Sequence, residues 1–321
     1  MKVGIIGAGS IAGTMAGTIR EMDCAQNYAV AARDYGRAAE FAQTYGFEKA
    51  YGSYEELVED AGVELVYIAT PHSHHYEHIK LCLNHGKHVL CEKSFTVNES
   101  QAREVLALAR EKKLLLTEAI WTRYMPMRKT LDSVLSSGVI GRPYMLTANL
   151  GYIISGKERI MRPELAGGAL LDVGIYPLNF ASMVFGDEVD SITGTAVMTE
   201  TGVDAQNSIT ITYKDGKMAA LCSMGLSDRR GIIYGDNGFI EVENINNCEG
   251  IRVYDRSRNM IASYDTPKQI SGYEYEVEAC LRAIKEGALE CPEMPHEETL
   301  RMMGWMDELR RQWGLVYPME R

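Results

Sequence analysis

Two short segments of the sequence bring acidic side chains close to a lysine or a tyrosine. In the first, Glu92 and Lys93 are adjacent at the end of a strand-like run. A lysine at that position can donate a hydrogen bond to an oxygen of a bound molecule and lower the pKa of a neighbouring acid. A salt-bridged lysine at a strand end explains the same two residues equally well, so this segment alone does not decide between catalysis and structure.

The second segment, residues 167–177 (GGALLDVGIYP), contains Asp172 and Tyr176 four residues apart. On a helix, side chains at this spacing share a face. Pro177 is unusual inside a helix because proline has no N–H, so we expect irregular local geometry at this point.

The strongest single motif is residues 7–12, which fit the pattern G-x-G-x-x-A. They follow a strand-like run and open a helix-like one, which is the context that a dinucleotide-binding turn requires. The first glycine permits the tight turn, the second lets the backbone approach a pyrophosphate, and the alanine allows close packing of helix on strand. The helix N-terminus then offers N–H groups and partial positive charge to the phosphates. The predicted dinucleotide-binding residues are Gly7, Ala8, Gly9, Ser10, Ile11 and Ala12; a purely structural glycine turn is the alternative.

The end of the second predicted strand bears on which dinucleotide is bound. An acidic residue at this point would bind the ribose 2′-OH of NAD, whereas an arginine would pair with the 2′-phosphate of NADP. Here Arg33 directly precedes Asp34, and Arg37 lies one helical turn later. Because Arg33 comes first, where the side chain should face the ribose, the sequence favours NADP(H). NAD(H) is the alternative. Alternatively, Arg33 is a solvated surface residue that binds no cofactor.

Two further segments follow predicted strands and border the same site, because ligands of such sheets bind beyond the carboxyl ends of the strands. They are Thr70-Pro71-His72 and Cys91-Glu92-Lys93-Ser94. Histidines cluster at positions 72, 74, 75 and 78, and the spacing of His74 and His78 would suit zinc. The sequence lacks the H-E-x-x-H form and an evident third ligand, so we expect a polar helix start beside the cofactor and no metal.

Strand-like and helix-like segments alternate over the first 120 residues, which predicts parallel strands joined by helical crossovers and hence a doubly wound α/β sheet. The predicted strands are Lys2–Ile6, Tyr28–Ala32, Glu64–Thr70, His88–Cys91 and Leu114–Glu118, and the predicted helices are Ser10–Met22, Tyr35–Tyr45, His72–His85 and Ser100–Lys112.

After residue 120 the pattern changes to short strand-like runs separated by Gly, Asp and Asn turns, which predicts a largely antiparallel sheet. These runs are Ser191–Met198, Ser208–Tyr213, Met218–Ser223, Arg230–Tyr234, Phe239–Glu243, Ile251–Tyr254 and Met260–Tyr264, with helices over Gly167–Phe185, Tyr273–Glu286 and His296–Trp313. We therefore expect an N-terminal Rossmann domain over residues 1–120. A C-terminal α+β domain with a large, mostly antiparallel sheet would follow over residues 121–321.

Composition narrows the function classes. The chain has 321 residues, 46% of them hydrophobic, and a net charge of −11, so it has no general electrostatic attraction to nucleic acid or anionic membranes. No run of 18 or more apolar residues is present, and we expect no transmembrane helix. The seven cysteines are odd in number and form no C-x-x-C pair, which favours reduced thiols in a cytoplasmic protein.

Taken together, the motifs resemble those of the Gfo/Idh/MocA oxidoreductases over essentially the whole chain. The resemblance rests on the glycine turn, A-T-P-H-S-H-H after the fourth core strand, C-E-K after the fifth, and D-V-G-I-Y in the second domain. Four stretches are similar to the branch that contains dimeric dihydrodiol dehydrogenase: Val30–Ala42, Ala50–Leu57, Glu118–Tyr124 and Gly167–Tyr176.

The resemblance implies roles for individual residues. Lys93 matches the lysine of the family's E-K-P motif, and Tyr176 matches the general acid/base of this branch. Asp172 matches the acidic residue that orients substrate or catalytic groups. The implied cofactor-contacting or site-lining residues are Arg33, Arg37, Thr70, Pro71, His72, His75, Glu92, Lys93, Trp121 and Arg123. Two departures stand out: Ser94 replaces the usual proline, so we expect a different local backbone and nicotinamide contact there, and His72 replaces a frequent asparagine.

The activity implied is hydride transfer between a nicotinamide and a hydroxyl or carbonyl of a sugar, polyol or cyclic diol. Tyr176 would exchange the proton, with Lys93 lowering a phenol pKa that is ordinarily about 10. The alternatives are a non-catalytic NADP(H)-binding sensor and a tightly held NAD used for redox-assisted elimination. The resemblance also implies that the C-terminal domain binds substrate and that its sheet forms a homodimer or higher homo-oligomer.

Overall fold

The computed structural model describes residues 1–152, 157–224 and 228–321. The chain forms two compact units, the first made of Met1–Tyr124 and Gln269–Met303 and the second of Met125–Lys268 and Gly304–Arg321. The division into residues 1–120 and 121–321 stays a prediction about folding domains. The compact units differ from it mainly in that Gln269–Met303 belongs to the first unit.

The first unit contains a six-stranded sheet in the order β3-β2-β1-β4-β5-β6, and every neighbouring pair of strands is parallel. This is the doubly wound order that binds dinucleotides where the strand order reverses, here between β1 and β4. The elements up to residue 120 are β1 (Lys2–Ile6), α1 (Ser10–Arg20), β2 (Gln26–Ala31), α2 (Tyr35–Tyr45), β3 (Lys49–Tyr51), α3 (Tyr54–Glu59), β4 (Leu65–Ile68), α4 (His72–Asn84), β5 (His88–Glu92), α5 (Glu99–Lys112) and β6 (Leu116–Ala119).

Local sequence explains these boundaries. The central strand β4, with the sequence LVYI, is completely buried, as expected for a strand covered by helices on both faces. Asp34 caps α2 by accepting a hydrogen bond from the backbone N–H of Arg37, and Ser53 and Glu56 form a capping box at the start of α3. Gly46 ends α2 with a φ of 76°, a conformation that favours glycine.

The second unit contains an eight-stranded sheet in the order β14-β13-β12-β11-β7-β10-β9-β8. All its pairs are antiparallel except β7 with β10. The remaining elements are α6 (Pro126–Ser136), β7 (Pro143–Gly151), α7 (Glu158–Met161), α8 (Ile175–Phe185), β8 (Val189–Met198), β9 (Asp204–Tyr213), β10 (Met218–Met224), β11 (Gly231–Gly235), β12 (Gly238–Val242), β13 (Gly250–Asp255), β14 (Met260–Asp265), α9 (Glu274–Glu286) and α10 (His296–Trp313). Of these, α9 belongs to the first unit, and α10 begins in the first unit and ends in the second.

The eight-stranded sheet has one buried face. Along β9, Ile209, Ile211 and Tyr213 are buried and alternate with the more exposed Thr210 and Thr212. The helix α8 packs against β7 and β10. The predicted fold class, a doubly wound parallel sheet followed by a mostly antiparallel one, is confirmed.

The helical run that carries Asp172 and Tyr176 begins irregularly. Residues Leu170–Gly174 form a π-helical turn that continues directly into α8, and the N–H of Ile175 donates to the carbonyl of Leu170. Because Pro177 has no N–H, it cannot complete the regular pattern with Val173 one turn earlier. The π-helical turn widens the helix just before this proline, and such turns are frequent at functional sites.

One helical stretch of the described residues, Pro163–Phe185, is long and apolar enough to cross a membrane, with a mean hydropathy of 1.3. Its most apolar window is 89% buried inside the protein. A core helix meets the same criterion as a membrane span because both are apolar on every side. The burial against the sheet accounts for this composition.

Candidate active site

The glycine turn between β1 and α1 has the geometry that a pyrophosphate needs. Gly7 adopts a φ of 106°, and a Cβ there would lie 2.9 Å from the carbonyl oxygen of Ala69. At Gly9, no described atom outside the glycine and its two chain neighbours comes within 4 Å of where a Cβ would be, so the backbone is open to a ligand. Gly9 is also the N-cap of α1, and the first turn contains no acidic residue. The free N–H groups of this turn suit an anion.

The other residues of the predicted turn support this arrangement. Ala12 is completely buried, as close packing of helix on strand requires. Ser10 is exposed, and Ala8 and Ile11 are half-buried. The carbonyl of Ala8 accepts a hydrogen bond of 2.9 Å from Nη2 of Arg37. The structure therefore brings Arg37 to the turn.

The two arginines and Asp34 differ in what they contact. Arg33 is exposed, and its positive charge contributes to lowering the pKa values of His74 and His78, for which burial is the larger cause. Oδ1 of Asp34 accepts a hydrogen bond of 2.7 Å from the backbone N–H of Arg37. Asp34 thus caps α2, while the Arg33 guanidinium remains accessible beside the start of α4.

His75 connects the loops that follow β4 and β5. Its ring is fully buried, with Nε2 2.8 Å from the carbonyl oxygen of Thr70 and Nδ1 2.9 Å from that of Ser94. Burial lowers the pKa of His75 to about 4 despite the opposing influence of these carbonyls. A neutral ring has one N–H and donates to only one carbonyl at a time. His75 therefore holds together the two loops that carry the predicted site residues Thr70 and Lys93.

The remaining histidines of this region form aromatic and polar contacts. His74 stacks on His78 with ring centroids 5.8 Å apart, and Nδ1 of His78 lies 3.0 Å from the hydroxyl of Thr70. His72 is buried at the start of α4, directly after the half-buried Pro71. Among the residues that the structure describes, no three His, Cys, Asp or Glu side chains are grouped so as to hold a metal ion.

Glu92 lies at the centre of a buried group of oxygens. The hydroxyl of Tyr67 donates a short hydrogen bond to Oε1 of Glu92, and the backbone N–H of Lys93 donates to Oε2 at 3.2 Å. The negative charge of Glu276 on α9 raises the pKa of Tyr67, after burial and Glu92. Lys93 itself is half-buried, and its peptide bond to Ser94 is cis. Tyr67 thus orients Glu92, which contacts the backbone of Lys93.

Trp121 and Arg123 lie in a short 3-10 turn after β6. The indole of Trp121 stacks on the ring of Tyr273, with centroids 4.3 Å apart and planes inclined by 14°. Nη2 of Arg123 donates to a carboxylate oxygen of Glu298 at 2.6 Å. Both side chains are buried, so each is held in one orientation at the end of β6.

In the second unit, Asp172 and Tyr176 lie on the same continuous helical run and are both buried, with exposed fractions of 5% and 8%. Nη1 of Arg159, on α7, donates to Oδ1 of Asp172 at 2.9 Å. Gly174 lies between the two residues, and a Cβ there would be 3.0 Å from the hydroxyl of Ser223 on β10. The run therefore approaches the sheet closely at its π-helical turn.

Several residues that contact the predicted site were missed from the sequence. Tyr67 appears only as an apolar strand residue, since its bond to Glu92 depends on how β4 and β5 pair. Arg159 precedes Asp172 by 13 residues, and nothing in the sequence pattern links the two. Lys93 lies in the first unit, and Asp172 and Tyr176 lie in the second.

Two parts of the chain match two family descriptions. Residues 1–120 match the Gfo/Idh/MocA oxidoreductase family with an NAD-binding Rossmann fold, and residues 129–241 match the Gfo/Idh/MocA C-terminal domain. Trans-1,2-dihydrobenzene-1,2-diol dehydrogenase of Xenopus tropicalis is 34% identical over 327 residues, which is 99% of each chain. The Homo sapiens enzyme of the same name is 34% identical over 332 residues, covering 100% of this chain and 99% of the human one.

Solved structures show the same architecture. A 3-ketoreductase from Actinomadura kijaniata in complex with NADP and TDP-benzene superposes with a TM-score of 0.89, at 25% identity and 97% coverage of each chain. An aldose-aldose oxidoreductase from Caulobacter crescentus complexed with glycerol has a TM-score of 0.88 at 18% identity, with 97% of each chain covered. At this identity the similarity concerns the fold alone. The predicted family is confirmed: the chain belongs to the Gfo/Idh/MocA family of NAD(P)-dependent oxidoreductases.

Proposed function

We propose that this oxidoreductase transfers a hydride between NADP(H) and a hydroxyl or carbonyl group of a sugar, polyol or cyclic diol. The observation that carries the proposal is Tyr176, a buried phenol one turn after the ion-paired Asp172, in a chain with an open dinucleotide turn at Gly9. The curated relatives are named for a cyclic diol, and one solved relative is a 3-ketoreductase. Both names describe oxidation or reduction at a carbon that bears oxygen.

The preference for NADP(H) rests on the end of β2. Asp34, the acidic residue that would bind a ribose 2′-OH, is already used to cap α2. Arg33 is exposed beside the start of α4, and the guanidinium of Arg37 reaches the glycine turn. Two guanidinium groups at this point suit a 2′-phosphate, because arginine binds phosphate oxygens in a bidentate manner. NAD(H) is the alternative cofactor.

In this proposal Tyr176, Lys93 and Asp172 have different roles in the reaction. The nicotinamide, when bound, supplies the group that accepts or donates hydride. Tyr176 gives its phenolic proton to a carbonyl oxygen during reduction and takes the proton of the hydroxyl during oxidation. The positive charge of Lys93 favours the phenolate form of such an acid, and Asp172, held by Arg159, orients the polar groups around it. Within the first unit the backbone N–H of Lys93 donates to Glu92, and within the second unit Arg159 pairs with Asp172.

A cofactor titration followed by a substrate screen tests the proposal. Fluorescence titration of the wild-type chain should give tighter binding of NADPH than of NADH, and the preferred cofactor is then used against sugars, polyols and cyclic diols. Arg33→Ala should weaken NADPH binding by roughly 10- to 100-fold, because a charge-assisted contact is lost, and leave NADH binding nearly unchanged. Arg20→Ala, an exposed arginine at the end of α1, is the control and should bind both cofactors normally.

Two results would count against the proposal. Tighter binding of NADH than of NADPH by the wild-type chain would show that the interpretation of Arg33 is wrong. Tight binding of NADPH without turnover of any carbonyl, hydroxyl or diol compound would favour a sensor. Redox-assisted elimination would instead be indicated by NAD that is released only when the protein is denatured.

A further inference from the structure

The helical run that carries Asp172 and Tyr176 starts from a turn that other parts of the second unit hold in place. The N–H of Leu170 donates to Oδ2 of Asp204, the first residue of β9, at 2.8 Å. The N–H of Gly168 donates to the carbonyl of Ile160 at 2.8 Å. The carbonyl of Gly167 accepts a hydrogen bond of 2.6 Å from the hydroxyl of Tyr317. Three separate segments therefore fix the start of this run.

The turn is packed so closely that only glycines fit. A Cβ on Gly168 would lie 2.3 Å from Oδ1 of Asp204, and a Cβ on Gly167 would lie 2.4 Å from the carbonyl oxygen of Ile160. Gly168 also has a φ of 108°. The backbone of residues 167 and 168 therefore has no room to shift toward Asp204 or Ile160.

Tyr317, which donates the hydrogen bond to Gly167, is itself held by several contacts. Its side chain is completely buried, and the guanidinium of Arg310 lies 4.9 Å from the centre of its ring. The backbone N–H of Tyr317 donates to Glu320 at 2.9 Å, and Glu320 pairs with Arg310 at 2.7 Å. Arg310 also pairs with Asp307 at 2.7 Å. The chain thus folds back on α10 and presents the phenol to Gly167.

We propose that Tyr317 is a positioning residue for the reaction: its hydrogen bond to Gly167 holds the π-helical turn and thereby the orientation of Asp172 and Tyr176. The inference rests on the proposed function, because it assigns importance to the geometry of these two side chains. An error of about 1 Å in the position of a reacting group can lower the rate by roughly 100-fold. A single missing hydroxyl far from the substrate is therefore expected to reduce kcat.

The test compares Tyr317→Phe with Tyr213→Phe. Tyr213 is a matched control, because it is a buried tyrosine of the same unit whose hydroxyl has no hydrogen-bond partner among the described residues. In Tyr317→Phe, the amides of residues 168–176 should exchange hydrogen faster, and kcat should fall roughly 10- to 100-fold with unchanged NADPH binding. Tyr213→Phe should have the wild-type amide exchange rates and the wild-type kcat. All kinetics are measured well below the unfolding midpoint of every variant.

Parallel measurement of Tyr176→Phe separates the two proposals. If Tyr176→Phe loses turnover while Tyr317→Phe keeps the wild-type kcat or exchange rates, the positioning role is wrong and the proposed function stands. If both variants keep full turnover, the proposed function is wrong and the positioning role falls with it. Should Tyr317→Phe fail to fold, Glu320→Gln loosens the same segment without removing the phenol, and it should increase exchange at residues 168–176 and lower kcat to a smaller extent.

Discussion

The first unit contains two buried glutamates, Glu118 and Glu276, whose pKa values are raised by burial. Glu118, on β6, is fully buried, and burial raises its pKa to about 7. Its Oε1 accepts a hydrogen bond of 3.1 Å from the backbone N–H of Phe95, two residues beyond Lys93. Burial also raises the pKa of Glu276 well above its ordinary value, and neither of its oxygens has a hydrogen-bond partner among the described residues. Both acids are therefore most compatible with the fold when protonated.

We predict that Glu118 makes stability fall as pH rises. Its pKa in the folded chain, about 7, exceeds the ordinary 4.5, so its protonated form favours folding fully below pH 4.5 and this contribution is lost as pH rises through 7. The whole effect is at most about 3 kcal/mol. Glu118→Gln keeps an acceptor for Phe95 but cannot ionise. The unfolding free energy, measured with denaturant at pH 5 and pH 8, should therefore fall less in this variant than in the wild type.

The control for this prediction is Glu55→Gln, at an exposed position on α3. It should show the wild-type change in unfolding free energy between the two pH values. An equal loss of stability in Glu118→Gln and the wild type would mean that Glu118 already ionises freely in the folded chain.

At the scale of elements, sequence patterns predicted most helices and strands but missed β3, α3, α6 and β7. The helix Tyr35–Tyr45 has the predicted bounds, because its cap and its terminal glycine are local signals. The strand β3 has three residues, too few for an alternation to show, and β7 begins at Pro143, which weakens its strand pattern. The π-helical turn arises from Pro177 together with close packing on β10, of which only the proline is visible in the sequence.

In the candidate site too, features set by local sequence were predictable, and contacts between distant residues were not. The glycine turn was predictable because six consecutive residues determine its backbone. The partners of the site residues come from distant parts of the chain: Asp204 lies 34 residues from Leu170, and Tyr317 lies 150 from Gly167. Such contacts depend on strand register and on packing in three dimensions, so no local spacing predicts them.

At the scale of the whole molecule, we propose that a second copy of the chain packs on the eight-stranded sheet. The proposal is supported by the face opposite the buried one, where Ser208, Thr210 and Thr212 of β9 are at least partly exposed and adjoin Ala220 of β10. These side chains are small and uncharged, and depletion of charge is typical of the centre of an interface.

A charged side chain on this face of the eight-stranded sheet should dissociate the proposed homo-oligomer. We expect light scattering of the wild-type chain to give the mass of a dimer or a larger homo-oligomer, and Thr210→Arg to give the monomer mass of 35.8 kDa, because an unpaired guanidinium would be buried in the interface. Thr44→Arg, at an exposed position of α2, is the control and should keep the wild-type mass. A monomeric wild-type chain at micromolar concentration would contradict the proposal.

The most direct test of the proposed chemistry is the transfer of deuterium from NADPH with deuterium at both C4 positions to the carbonyl substrate that the screen identifies. The wild-type chain should produce an alcohol with one deuterium on the carbinol carbon. Tyr176→Phe should bind NADPH normally yet lose turnover by roughly 10²- to 10⁴-fold, the usual contribution of a general acid. An alcohol without deuterium, or full turnover by Tyr176→Phe, would contradict hydride transfer assisted by this phenol.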